Sequence, residues 1–459
     1  MYSQTITELS KFLRKSPTAF HAVDTMKQEL EAEGFRELRE SEKWALQAGD
    51  KCYVTRNSSS IIAFTVGEEV AAVSEAGTDA HIGAEYAASG AGSYSFHITC
   101  SHSDSPTFKI KQNCEIAVRE KYTKLNTEVY GDLICSSWFD RPLSIAGRAV
   151  VRNGNKLETR LVRMDKDLMM IPNQAIHMNR DVNEHSSYNK QEHTLPVIAG
   201  RPMEKGELHR LVAGDLGIDV EDLVGVELYL FNRMEPTTWG IEEEFFSAAQ
   251  IDDLECAFAS MKALLASGNP CNVNVFACFD NEEVGSATKQ GAASTMLSDV
   301  LYRINAALGK AEEDYYRAIA SSFMVSCDNA HAVHPNYVAE TDQDNCVYMN
   351  EGVVIKSHAC QKYTSDAVSM AVFRDLCDRA GVPYQYFANR SDKTGGSTLG
   401  NLAMAQVSVN SVDIGLAQLA MHSAYETAGV KDVDYFISVL TEFYNRHIEI
   451  EQTGTYVIK

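Results

Sequence analysis

Two adjacent carboxylates, Glu282 and Glu283, follow the β-rich run Val273-Asn274-Val275-Phe276-Ala277 at the carboxyl end of what reads as a buried strand. Like charges at contact distance do not both ionise cheaply unless a cation or a shared proton lies between them. The pair therefore suggests a metal ligand beside a general base, and its plain alternative is an acidic loop at a strand end. Further candidates end other elements in the same way. His102 and Asp104 follow the strand pattern Ser95–Cys100, Asp328 follows Phe323–Cys327, Asp252 opens a helical pattern, and His422 comes shortly after Val412–Leu416. Singly, each has an ordinary role: Asp252 and Asp253 suit the positive end of a helix dipole, and Asp328 suits a helix cap. Two histidines and three carboxylates at such ends are also what two zinc-like ions, roughly 3.5–4 Å apart, require. A carboxylate outside the ligand set would take the proton of an attacking water. A carboxylate two residues from His102 would fix its tautomer.

These residues need a scaffold that gathers strand ends. Apolar residues at helical spacing predict two helices between Ile6 and Glu31, interrupted at Ser16-Pro17-Thr18. Strands are expected at 51–56 and 60–66, then at 95–100. From about Lys109 short alternating strands follow, at 116–118, 127–130, 148–151 and 156–162, the last two joined by Asn153-Gly154-Asn155. The stretch 188–212 reads as loop. An amphipathic helix is expected at 254–265, further helices at 365–380 and 433–448, and strands at 323–327, 384–387 and 412–416. Strands alternating with helices imply an α/β fold with a mainly parallel central sheet, layered αβα, in which ligands gather beyond the carboxyl ends of the strands. The expected organisation is a discontinuous catalytic domain, 1–107 and 246–459, carrying an inserted β-rich domain at 108–245.

Composition narrows the partners. The 459 residues carry a formal net charge of −22, which disfavours nucleic acid and anionic membrane. An acidic substrate would need a local basic group. Eleven scattered cysteines and the lack of an apolar leader lead to the expectation of a reducing, cytoplasmic location.

Several separated stretches carry a resemblance: Ser16-Pro17-Thr18-Ala19-Phe20-His21-Ala22-Val23, His102-Ser103-Asp104-Ser105-Pro106, Asp280-Asn281-Glu282-Glu283-Val284-Gly285-Ser286, Asp328 to Tyr337, and Gln418-Leu419-Ala420-Met421-His422-Ser423. In this order, over essentially the full length, the chain resembles the aspartyl aminopeptidases of the M18 metallopeptidase family. The resemblance implies release of N-terminal Asp or Glu from peptides through a metal-bridged hydroxide. It implies two Zn²⁺ per subunit, with Co²⁺ or Mn²⁺ possible at the same ligands. His102, Asp252, Glu283, Asp328 and His422 would hold them, Asp252 bridging. Family members tend to read Arg-Leu-Asp-Asn where this chain has Gln250-Ile251-Asp252-Asp253, and alignment assigns the bridge to Asp252. Glu282 would be the general base and Asp104 the partner of His102. Lys356, Tyr363 and His331 would contact substrate, with Lys356 facing the acidic side chain. The inserted domain would be a dimerisation module whose His177 reaches a neighbouring active site, in a dodecameric assembly. The alternative for Lys356 is a solvated surface lysine. The glycine-rich Ser391–Thr398 suits a pocket wall better than a phosphate cradle, because no helix-opening Gly-Lys-Ser/Thr follows it. Other functional readings are a deacylase or carboxypeptidase on the same metal pair, and a non-catalytic assembly.

Overall fold

A computed structural model describes residues 4–70, 94–268, 270–452 and 454–459. The chain packs as two units, one of residues 1–25, 104–252 and 420–428, the other of 26–103, 253–419 and 429–459. The expected insertion 108–245 lies within the first unit, which also takes in the first helix, Gln4–Lys15, and the segment around His422. Among the described residues no helix is long and apolar enough to cross a membrane.

The second unit is built on a nine-stranded sheet in the order Arg36–Glu37, Lys51–Arg56, Ser60–Val66, Val273–Phe279, Phe96–His102, Phe323–Cys327, Asn410–Gly415, Val353–Lys356, Tyr384–Phe387. Five of its neighbouring pairs are parallel and three antiparallel, so the sheet is mixed but mainly parallel, as expected. Its central strands are buried along their whole length, which is why they read as near-continuous runs of Val, Ile, Phe and Cys. Side chains alternate between faces. Phe96, Ile98 and Cys100 join one core with Met296, Leu297, Val300 and Leu301 of the helix Met296–Ala307. On the alternate positions, His97 stacks on Phe443 at 4.8 Å and Thr99 hydrogen bonds Tyr444 at 2.6 Å, both on the helix Asp432–Asn445. Helices thus cover both faces in an αβα arrangement.

The helix Ile251–Ala266 departs from expectation. Residues 251–261 are all buried, including Asp252, Asp253 and Glu255, so it is an enclosed helix and not an amphipathic surface one. Small residues (Cys256, Ala257, Ala259, Ser260) permit that enclosure. Two of its buried polar groups meet Asn329: Asn329 Nδ2 donates to Glu255 at 3.0 Å, and Cys256 Sγ donates to Asn329 Oδ1 at 3.3 Å.

The first unit holds a six-stranded antiparallel sheet, ordered Lys156–Arg163, Leu143–Asn153, Leu223–Asn232, Thr107–Val118, Tyr122–Tyr130, Val197–Ala199. Asn153 pairs with Lys156, and Gly154 takes φ +59° in the tight turn between them. Phe108, Leu125, Trp138, Ile145 and Leu230 form its core. The stretch expected to be loop at 188–212 instead contributes the strand Val197–Ala199 and the start of the helix Glu207–Leu216. Leu208 and Val212, one turn apart, pack into that core, and their spacing marks the helix that the polar neighbours obscure.

Candidate metal centre

In the second unit, sheet register brings the chemistry to one edge. The strands Val273–Phe279 and Phe96–His102 run parallel with Phe279 opposite His102, and Ser103 N–H donates to the Phe279 carbonyl at 2.8 Å. The next strand, Phe323–Cys327, pairs parallel on the other side of Phe96–His102 and ends at Asp328. Three adjacent strands therefore finish in Glu282–Glu283, in His102 and in Asp328.

The glutamates sit on a single 3-10 turn, Glu282–Val284, between Asn281 at φ +65° and Gly285 at φ +96°. Asn281 is pinned in that left-handed conformation. Its N–H donates to Asp280 at 2.7 Å, its side-chain oxygen accepts from Thr288 and Gln290 at 2.9 Å each, and its carbonyl accepts Ser286 N–H at 2.7 Å. Such strain persists where the surroundings over-determine it, typically at functional sites. His102, Glu282 and Glu283 each offer one ligand atom, all within 4.8 Å of one another. An imidazole with carboxylates is the donor chemistry zinc accepts.

The first unit brings together Asp252 and His422. His422 Nε2 lies 3.5 Å from Asp252 Oδ2, and its Nδ1 donates to the Asp132 carbonyl at 2.7 Å. That bond puts a ring proton on Nδ1 and leaves Nε2 facing the carboxylate, the arrangement in which an imidazole can bind metal through Nε2. Burial would lower the His422 pKa, but the Asp252 carboxylate outweighs it and raises the pKa to about 9. The contact that favours a proton on Nε2 equally favours a cation there. Residues present in both units thus fit zinc. Asp104 accepts Tyr130 Oη at 2.6 Å, a partner that sequence reading did not single out.

Two carboxylates hold candidate ligands by their backbones: Asp253, weighed from sequence as an alternative bridge, and Glu426, which sequence reading missed. Asp253 Oδ2 accepts His102 N–H at 3.0 Å. Glu426 accepts the N–H of Asp252 at 3.1 Å and of His422 at 2.8 Å. A backbone contact leaves no trace in residue spacing.

Lys356 is not a solvated surface lysine: it is 1% exposed. Its Nζ donates to the carbonyls of Asp328 at 2.9 Å and Asn329 at 3.4 Å and lies 5.2 Å over the Tyr363 ring. Burial pulls its pKa down, yet Asp328 and Asp413 hold it above the usual lysine value. Gly415 makes room for this junction, since a Cβ there would meet the Asp328 carbonyl oxygen at 2.0 Å. Asp413 is fully buried and accepts Thr364 N–H at 2.6 Å and Thr398 Oγ1 at 2.8 Å, fixing the Tyr363 segment and the end of the glycine-rich loop. That loop closes over Lys362, whose Nζ donates to Thr394 and Gly395 carbonyls, beside a cavity of about 750 Å³ lined by Ser357, His358, Asn389 and Arg390 among others. His331 is exposed, with its ring 6.3 Å from Phe387. His177 lies in the first unit, on the exposed 3-10 turn Ile176–Met178.

The family described as aminopeptidase I zinc metalloprotease (M18) matches residues 12–444. A probable M18 family aminopeptidase 2 of Clostridium novyi (strain NT) is 46% identical over 443 residues, covering 95% of this chain and 98% of that one. Among solved structures, the Ape4 and Nbr1 complex matches with a TM-score of 0.88 at 31% identity, covering 96% of this chain and 85% of that chain. The S. cerevesiae mApe1 dodecamer matches at 0.80 and 25% identity, covering 96% of each. With imidazoles and carboxylates arrayed at its strand ends and a family match over nearly its whole length, the chain belongs to the M18 aminopeptidase I family of zinc metalloproteases.

Proposed function

We propose that this chain is an aminopeptidase releasing N-terminal Asp or Glu from peptides with two zinc ions. Its ligands are His102, Glu283 and Asp328 together with His422 and a bridging Asp252. The observation that carries this reading is the convergence of His102, Glu282 and Glu283 within 4.8 Å at adjacent strand ends. When bound, zinc supplies a Lewis acid for the scissile carbonyl and lowers the pKa of water.

Glu282 takes the proton from the attacking water and returns it to the leaving amine. Asp104 orients the His102 imidazole. Asp252 is favoured over Asp253 as the bridge because the Asp253 carboxylate is engaged by His102 N–H. Lys356 supplies the positive charge for an acidic side chain. An ammonium has three donors, and two of those on Lys356 serve the carbonyls of Asp328 and Asn329, so a substrate carboxylate takes the third. Tyr363 and His331 contact the substrate. Residues 108–245 form a dimerisation module on a catalytic domain of 1–107 and 246–459. His177 enters a neighbouring copy's site from an exposed turn, within a dodecamer like the one described for mApe1.

Glu282→Gln, assayed beside the wild type by elemental analysis and by peptide hydrolysis, tests the division of labour. Two zinc ions per chain with turnover reduced at least about 10³-fold is the expected result. Substantial turnover would remove Glu282 from the role of base, and fewer than two ions in the wild type would refute the dinuclear reading.

A further inference from the structure

Glu426 stands at the start of the strand Glu426–Gly429, is 2% exposed, and uses its two oxygens on two different backbone groups. Oε2 accepts the N–H of Asp252 at 3.1 Å, and Oε1 accepts the N–H of His422 at 2.8 Å. The segments it ties are 170 residues apart in the chain, and both are conformationally costly. His422 itself has φ +67° and Ala420 has φ +57°. On the other side Gln250, two residues before Asp252, has φ +64°. Non-glycine residues hold such angles only where their surroundings enforce them. Other contacts complete the enforcement around His422: Ile134 N–H donates to its carbonyl at 3.0 Å, and its Nδ1 donates to Asp132. Ser105 Oγ donates to the Asp252 carbonyl at 2.8 Å.

We infer that Glu426 is a positioning residue that sets the separation of Asp252 and His422 by clamping both backbones, and so sets the affinity of the ion they share. The inference rests on the reading of Asp252 and His422 as ligands. A carboxylate suits the task because both oxygens accept. Gln has the same shape but offers one oxygen and one NH₂ group, so it must turn a donor against one of the two N–H groups.

The test is titration of metal-free full-length protein with Co²⁺, followed by visible absorption and calorimetry, for the wild type, Glu426→Gln, Glu426→Asp and His422→Ala. Glu426→Gln is expected to bind one ion as the wild type does and the second 10–100-fold more weakly. Raised metal concentration should return its kcat toward the wild-type value, which a general loss of structure would not allow. Unchanged affinity for both ions in Glu426→Gln, with weakened binding in His422→Ala, overturns the clamp and keeps the ligand assignment. Unchanged affinity in His422→Ala overturns the ligand assignment itself. If Glu426→Gln does not fold, Glu426→Asp decides: its shorter side chain reaches only one N–H, so unaltered binding of the second ion in that variant overturns the clamp.

Discussion

The carboxylate of Asp253 accepts the backbone N–H of His102 at 3.0 Å, while its neighbour Asp252 lies 3.5 Å from the imidazole of His422. Two consecutive acids on one helix therefore have different partners. Asp253→Ala should weaken metal binding about 10–100-fold and recover activity in excess zinc, as expected for a group that orients a ligand. Asp252→Asn should stay inactive at any zinc concentration. A metal titration followed by activity separates the two, and recovery of Asp252→Asn by excess zinc would reverse the assignment.

Lys356 makes a prediction about specificity that its burial complicates. Lys356→Met removes one member of a buried charged cluster with Asp328 and Asp413, which destabilises the fold by about 3–5 kcal/mol. The informative quantity is a ratio. The kcat/KM of Lys356→Met for an N-terminal Asp substrate should fall at least about tenfold further than for a Leu substrate, because an acidic side chain would be buried without a counter-charge. Equal losses on the two substrates would assign Lys356 to structure alone.

Asp432 gives the fold a pH dependence away from the metal centre. Its carboxylate accepts the N–H groups of Asn350 at 2.5 Å and Gly352 at 3.0 Å, holding the turn before the strand Val353–Lys356. Burial raises its pKa from 3.8 to about 7, against the opposing effect of those two N–H donors. The native state therefore holds this proton more tightly than the unfolded chain does. The associated stability is full below about pH 4 and is lost as pH rises to about 7, an effect of up to about 4 kcal/mol. Thermal melts should show the stability of Asp432→Asn improving relative to the wild type across that window. A gap independent of pH would contradict the assignment.

His177 tests assembly. Glu282→Gln and His177→Ala should each be inactive or nearly so when pure. If one copy lends His177 to another, mixing the two after dissociation and reassembly should restore part of the activity, since some sites would then have both groups intact. No recovery in mixed oligomers would place His177 outside the neighbouring site.

What was legible in the sequence is what strand ends and apolar periodicity encode. Glu282–Glu283, His102 and Asp328 stood out because each closes a run of buried β residues, and the sheet register sets those three ends side by side. Burial that depends on tertiary partners was not legible. Lys356 is enclosed by carbonyls 27 and 28 residues earlier in the chain, so nothing near it distinguishes it from a surface lysine. Asp253 and Glu426 act on backbone N–H groups, which carry no residue-type signal. The helix Ile251–Ala266 misleads because its buried acids imitate the polar face of a surface helix.

The most direct measurement of the account is hydrolysis of Asp-, Glu-, Leu- and Arg-nitroanilides, with N-acyl amino acids as the deacylase control, by protein stripped with a chelator and then reloaded with zinc. The stripped protein should be inactive, and zinc should restore cleavage of the Asp and Glu substrates well above Leu and Arg. Preference for Leu or Arg, activity only on the N-acyl compounds, or turnover without metal would contradict it.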